Sequence, residues 1–462
     1  MGIAAKLFHN PEDRENSLAY RVRPSDEQVE EQRERWNDLA EVLKEGLRDV
    51  FDKPVTSWLQ GSYKFGTQIR PARMGEEFDI DLGVYLEWQG SAESGDVEPL
   101  EFKDRVQLIL EDYAAAEAND AIGTADPKAR CNRIHFSGDF HIDVPCYHLD
   151  RAADARDLAT QDDEWENSDP KAIYVWWKGQ FEGGERDRAR RMVRYLKMWA
   201  ALTFENSSRP SSILLSVLAA KAIKAIDTEG LAGDDEYFRA VVDDLERRLR
   251  RTVVVRNPVN TSENLNRLTE DDCAAVIDKL SDLLSVADRA LDAADEYESA
   301  DIWSEAFKHF FPFPEEEEEA VAKATADTAR NVLAVIRHDP DVHIVATSGK
   351  RRWEGLNAIG PIPKGCDIRF TIVDPKALPE GAKVNWTVRN EGAEAEWTND
   401  LGHVAGSGLS NCESSAYRGS HFMDVVVKLN GRIIGQRRVK VQVSALGIPK
   451  RNSARPAWTR LR

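Results

Sequence analysis

Asp79 and Asp81 stand two positions apart in the run FDIDLGVYLEW. In a strand, residues i and i+2 share a face, so the two carboxylates lie side by side. They repel unless a cation sits between them. Such a pair suits Mg²⁺, which takes one or two carboxylates and completes its shell with water and phosphate oxygens. D-x-D alone is equally an exposed polar strand face, and it is the context that favours chemistry. Gln60-Gly61-Ser62 follows the apolar run of residues 55–59 and precedes a helix start. A small residue and a hydroxyl there aim N–H and O–H groups at an anion. Anion cradle and carboxylate pair together describe a site for a nucleoside triphosphate.

Two metal ions flanking a reacting phosphate need a third carboxylate, and FHIDVPCYHLD offers Asp143 on another strand. Asp139 is a rival, but Ser137-Gly138-Asp139 reads as a turn. One ion lowers the pKa of an attacking hydroxyl and the other steadies the leaving pyrophosphate; Asp143, closest to the attacking oxygen, would help remove its proton. Lys64, Arg70 and Arg73 are not individually assigned. His135, His141 and His148 crowd the same strand region near Cys146 without a recognised zinc spacing. The aromatic run at 173–181 reads as packing against the catalytic sheet rather than as a base-stacking platform.

These residues need elements to hold them. Residues 25–50 have helical periodicity, with Trp36, Leu39, Leu43 and Leu47 at spacings of three and four. Strands are expected at 55–59, around Asp79, and over 133–144 with an interruption at Gly138. Helical patterns follow over 187–226, 234–250 and 271–300. After residue 340 the pattern changes to short alternating runs rich in Val, Ile and Thr, expected to form a β-sandwich of roughly 100 residues. Residues 341–462 carry 19 Lys and Arg against 11 Asp and Glu, +8 in all, which leaves −27 on residues 1–340. That shift marks a boundary, preceded by the five glutamates 315–319, which read as a solvated helix start.

The whole chain of 462 residues has a net charge of −19. This argues against a general nucleic-acid-coating surface and against a polymerase holding a long DNA template. Five scattered cysteines (Cys131, Cys146, Cys273, Cys366, Cys412) fit a reducing compartment. The first residues lack a signal-peptide core, and the best apolar stretch, 213–223, is too short to span a membrane and contains Lys221. A cytoplasmic protein without membrane association is expected.

QGSYKFGTQI, FDIDLGVYL and FHIDVPCY, with Asp79 seventeen positions after Ser62, resemble the cGAS/DncV-like nucleotidyltransferases of bacterial CBASS anti-phage systems. The resemblance covers roughly the first 330 residues. Residues 343–370, VNWTVRN and YRGSHFMDVVVKLNG resemble the adenylyl/guanylyl and SMODS C-terminal sensor domain. The implied fold is α+β: a polymerase-β-like nucleotidyltransferase with a helical lobe, then a small β-sandwich-like domain. Its implied limits are 1–330, with a mixed α/β core about 50–150 and a helical lobe about 170–310, then an acidic linker at 311–340, the C-terminal domain at 341–446 and a basic tail at 447–462.

The resemblance implies Asp79, Asp81 and Asp143 as metal ligands, with two Mg²⁺ ions or Mn²⁺ in their place. It implies Gln60, Gly61, Ser62, Lys197 and Ser211 on the nucleotide, with Ser212 nearly as good a match as Ser211. The implied activity joins nucleoside triphosphates, ATP among them, into a cyclic di- or trinucleotide that reaches an effector, with pyrophosphate released. The rivals are linear transfer to a protein or RNA end, and a sensor scaffold in which the basic C-terminal domain takes an anionic ligand or regulator.

Overall fold

The computed structural model describes residues 2–73, 75–314 and 338–444. The glutamate run and the basic tail lie outside them. The described residues divide into two compact units, one spanning 2–307 and 311–313, the other 308–310, 314 and 338–444.

The first unit is built on a mixed sheet of eight strands: β1 (Val55–Leu59), β2 (Phe78–Glu87), β3 (Ala121–Ala125), β4 (Asn132–Phe136), β5 (Phe140–Val144), β6 (Cys146–Asp150), β7 (Ala155–Ala159) and β8 (Trp165–Asn167). Its order is β3-β4-β5-β2-β6-β7-β8, with β1 pairing β2. The single strand expected over 133–144 is a hairpin, β4 and β5, because Gly138 and Asp139 both take positive φ (126° and 56°) and reverse the chain. Inward residues of β2 and β5 (Phe78, Ile80, Leu82, Phe140, Ile142, Val144) pack with Leu39, Leu43 and Leu47. Those leucines come from the helix Asp26–Phe51, whose start is fixed by Ser25 and Gln28 in a reciprocal capping box.

The helical pattern of 187–226 is two helices, Gly183–Thr203 and Ser212–Ile223. The break coincides with Pro210, which has no N–H to donate, and with Ser211 as the new N-cap. The pattern of 271–300 also divides, into Glu270–Leu291 and Glu296–Phe307. In the aromatic run, Trp177 is buried against Phe65 and Phe181. Among the described residues no helix is long and apolar enough to cross a membrane.

The second unit holds β9 (Val342–Ser348), β10 (Arg351–Leu356), β11 (Ala358–Pro363), β12 (Asp367–Ile372), β13 (Lys383–Asn390), β14 (Gly402–Ser407), β15 (Ser410–Ser414), β16 (Gly419–Leu429) and β17 (Arg432–Ser444). They form two sheets, β10-β9-β12-β15 and β11-β17-β16-β13-β14. One apolar core, including Ile344, Phe370, Trp386 and Val425, draws on both.

Candidate active site

Strand β1 runs antiparallel to β2, ending with Leu59 opposite Leu82. Gln60 extends the ladder by donating its N–H to Asp81 O (2.8 Å). Gly61, at φ +53°, therefore lands directly over Asp81. A single helical turn, Gly61–Phe65, follows and is closed by Gly66 in the left-handed region. Ser62 sits in that turn and faces a cleft of about 660 Å³, which Asp79, Lys197 and Ser212 also line.

Register brings the three aspartates together. Strands β2 and β5 are parallel neighbours, with Asp79 beside His141 and Asp81 beside Asp143. Asp79, His141 and Asp143 each offer a donor atom, all within 4.8 Å of one another. His141 Nε2 lies 2.9 Å from Asp79 Oδ1, and its Nδ1 lies 2.7 Å from Glu77 Oε2. Arg133, directly across the β4–β5 ladder from Asp143, grips it with Nε at 2.5 Å and Nη2 at 2.7 Å.

Charge is crowded here. Burial pushes the Asp81 carboxyl well above the ordinary range, and the charges of Asp79 and Asp143 add to the shift. The side chain of Asp79 is 55% exposed to the cleft. The surrounding protein still desolvates it and pushes its carboxyl up. The His141 hydrogen bond and charge, helped by Arg133 and Lys197, more than offset this and hold it below the usual value. Three clustered carboxylates, with the buried Asp81 pushed toward its neutral form, fit a hard divalent cation beside the His141 imidazole.

Lys197, on the helix Gly183–Thr203, is almost fully buried and donates to Thr67 O (2.8 Å). Burial pushes its ammonium down to about 8, against the pull of Asp79 and Asp81.

Two expected nucleotide contacts are placed elsewhere. Gln60 is buried: its Nε2 donates to Tyr85 Oη (2.8 Å), and Tyr147 Oη donates to its Oε1 (3.1 Å). The two tyrosines pair in register and stack with ring centroids 4.8 Å apart. Gly83 leaves the room, since a Cβ there would stand 2.0 Å from Gln60 Nε2. Gln60 thus anchors the Gly-Ser turn from the sheet side and does not line the cleft. Ser211 caps the helix Ser212–Ile223 by accepting from Leu214 N (3.3 Å), and it is Ser212 that lines the cleft.

The three histidines do not converge. His148 stacks on Trp88, with its Nε2 3.1 Å from Trp88 O, whereas His135 and His141 meet at Glu77. Sequence reasoning missed Glu77, Arg133 and His141 as parts of the site. His141 was detectable, because it lies two positions before Asp143 on the same strand.

Residues 55–147 match the nucleotidyltransferase domain of the cyclic GMP-AMP synthase DncV-like family. Over 445 residues, 95% of each chain, the sequence is 30% identical to a cyclic GMP-AMP synthase of Escherichia albertii. The chain belongs to the DncV-like nucleotidyltransferases. It is an enzyme with a DncV-like polymerase-β nucleotidyltransferase fold. Vibrio cholerae DncV, a cyclic AMP-GMP synthase, superposes with a TM-score of 0.56 at 19% identity, covering 67% of this chain and 98% of that one. A c-di-GMP synthase of Roseivirga ehrenbergii is 25% identical over 276 residues, 52% of this chain and 69% of its own. Beyond the DncV-like core, residues 324–444 match the adenylyl/guanylyl and SMODS C-terminal sensor domain.

Proposed function

We propose that this enzyme is a template-independent synthase that joins two nucleoside triphosphates into a cyclic dinucleotide and acts in bacterial anti-phage defence. The observation that carries the reading is the in-register convergence of Asp79, Asp81 and Asp143 beside the Gly61–Ser62 turn. Relatives named as cyclic GMP-AMP and c-di-GMP synthases support the product class.

Asp79, Asp81 and Asp143 would hold Mg²⁺, or Mn²⁺ in its place. When bound, the metal supplies charge neutralisation and a lowered pKa for the attacking hydroxyl. Ser62 and the N–H groups of its turn orient the donor triphosphate, and Lys197 adds positive charge beneath it. A ribose hydroxyl oxygen of the second nucleotide bonds to the α-phosphorus of the first. The bond to pyrophosphate breaks, and the hydroxyl proton passes to the carboxylate cluster and on to water. A second transfer in the same sense closes the ring. Alignment and preorganised charge supply most of the acceleration. The reading puts this work in the cytoplasm, where nucleoside triphosphates are made, with the product carrying a signal to an effector.

The test is incubation with each labelled nucleoside triphosphate and Mg²⁺, then phosphatase, beside Asp79→Ala/Asp81→Ala. Phosphatase-resistant product that the double variant cannot make establishes the cyclase. Label that stays phosphatase-sensitive, or ends on protein or RNA, replaces it with linear transfer.

A further inference from the structure

Strand β16 places a histidine where its alternation calls for an apolar residue. His421, Met423, Val425 and Val427 fall on one face, and the last three belong to the core of the second unit. Asp424 lies on the opposite face, bound by Arg389 and Arg438. His421 is only 8% exposed. Its Nε2 sits 2.8 Å from the backbone oxygen of Tyr417, an acceptor, so Nε2 carries the proton and Nδ1 keeps its lone pair. That Nδ1 is buried and has no hydrogen-bond partner among the described residues. A buried acceptor without a donor is costly, and few persist without a reason.

His421 helps wall a cavity of about 110 Å³ between the two sheets, with Phe370 and Ile368 on one side and Met423 and Val441 on the other. An engineered apolar cavity of ~150 Å³ takes benzene, so this smaller space holds at most one ring or its aliphatic equivalent. The polar groups at its edge include two carboxylates. Asp400 Oδ2 accepts from Tyr417 Oη (2.9 Å), and Glu413 lies 3.2 Å from His403 Nε2.

We propose that this cavity is a ligand site for the ring-sized apolar head of a small molecule bearing an N–H or O–H donor, which His421 Nδ1 accepts. The surplus of positive charge in residues 341–462 led to the expectation of an anion. Among the cavity's own groups, Asp400 repels anions and favours donors, while Glu413 is paired with His403. Lys350 and Arg351 are exposed at the β9–β10 hairpin and are not part of the cavity wall. The site stands independently of the catalytic reading.

Phenol and benzoate serve as probes, matched in ring and opposite in character. The full chain, labelled with ¹⁵N-histidine, is titrated with each while the His421 Nδ1 resonance is followed, assigned by its loss in His421→Gln. The expected result is a saturable shift with phenol and at least tenfold weaker binding of benzoate. Met423→Trp, which fills the space, should abolish the phenol shift while the other histidine signals stay in place. If that variant unfolds, the wild-type comparison alone decides. The proposal is overturned by an Nδ1 that saturating phenol does not move, by benzoate binding as well as phenol, or by an Nδ1 already protonated in the free protein.

Discussion

A Cβ built on Gly61 would stand 1.8 Å from Oδ2 of Asp81. The anion-facing turn and the carboxylate cluster are therefore in contact, and only a residue without a side chain lets them meet. Gly61 also takes φ +53°, where an L-residue is strained by roughly 1–2 kcal/mol. Gly61→Ala should keep the fold, melt a few degrees lower, and lose on the order of 100-fold in activity, because about 1 Å of misplacement near the chemistry costs that much. Pyrophosphate release and a thermal melt measure the two effects. A variant within twofold of wild type would show that the turn yields without consequence.

Arg133 holds Asp143 through two charge-assisted bonds. A divalent cation at Asp143 must share the carboxylate with this guanidinium, which repels it. Arg133→Met should therefore tighten Mn²⁺ binding, by about tenfold if the relief is near 1.4 kcal/mol, while lowering turnover because Asp143 loses its orientation. Electron paramagnetic resonance of free Mn²⁺ gives the affinity directly. Unchanged or weaker Mn²⁺ binding would mean that Arg133 does not compete with the metal.

Much of this was legible from local pattern. The alternation FDID and the spacing from Ser62 locate Asp79 and Asp81, and Ser25 with Gln28 announces the first long helix. Register was not legible. Gln60 meets Tyr85 and Tyr147, 25 and 87 positions away, and nothing near Gln60 reveals that pairing. Arg133 meets Asp143 only once 133–144 is recognised as a hairpin. Ser211 and Ser212 differ by one step of helical phase, enough to turn one hydroxyl onto the backbone and leave the other at the cleft. Strands β10 and β11 expose much of both faces, so alternation gave no signal there. His421 was visible in its strand, but which face is inward depends on the opposing sheet.

Lys197 gives a pH dependence. Its ammonium, lowered to about 8 by burial, is charged at pH 7 and largely neutral by pH 9.5. A triphosphate favours the charged form, so affinity should fall as pH rises through 8, by up to about tenfold per unit. Lys197→Met should bind more weakly and lose this slope. Calorimetry with a nonhydrolysable triphosphate between pH 7 and 9.5 checks both; a wild-type affinity flat across that range would remove Lys197 from the phosphates.

Asp424 makes the corresponding case for stability in the second unit. Its buried carboxylate accepts from Arg389 Nε (2.6 Å) and Arg438 Nε (2.8 Å). Burial pushes its pKa up, but the two guanidinium charges prevail and hold it below the ordinary aspartate value. A lowered carboxyl pKa stabilises the fold at every pH above the unfolded value near ~3.9, and that stability is lost as pH falls through the folded value. Asp424→Asn removes the carboxylate that buried Arg389 and half-buried Arg438 share, and removing one member of a buried pair costs about 3–5 kcal/mol. Hydrogen exchange of the β16 and β17 amides in the full chain should accelerate at least 100-fold at pH 7, and the variant should lack the part of the acid limb that Asp424 supplies. Protection unchanged at neutral pH would show that water already reaches the pair.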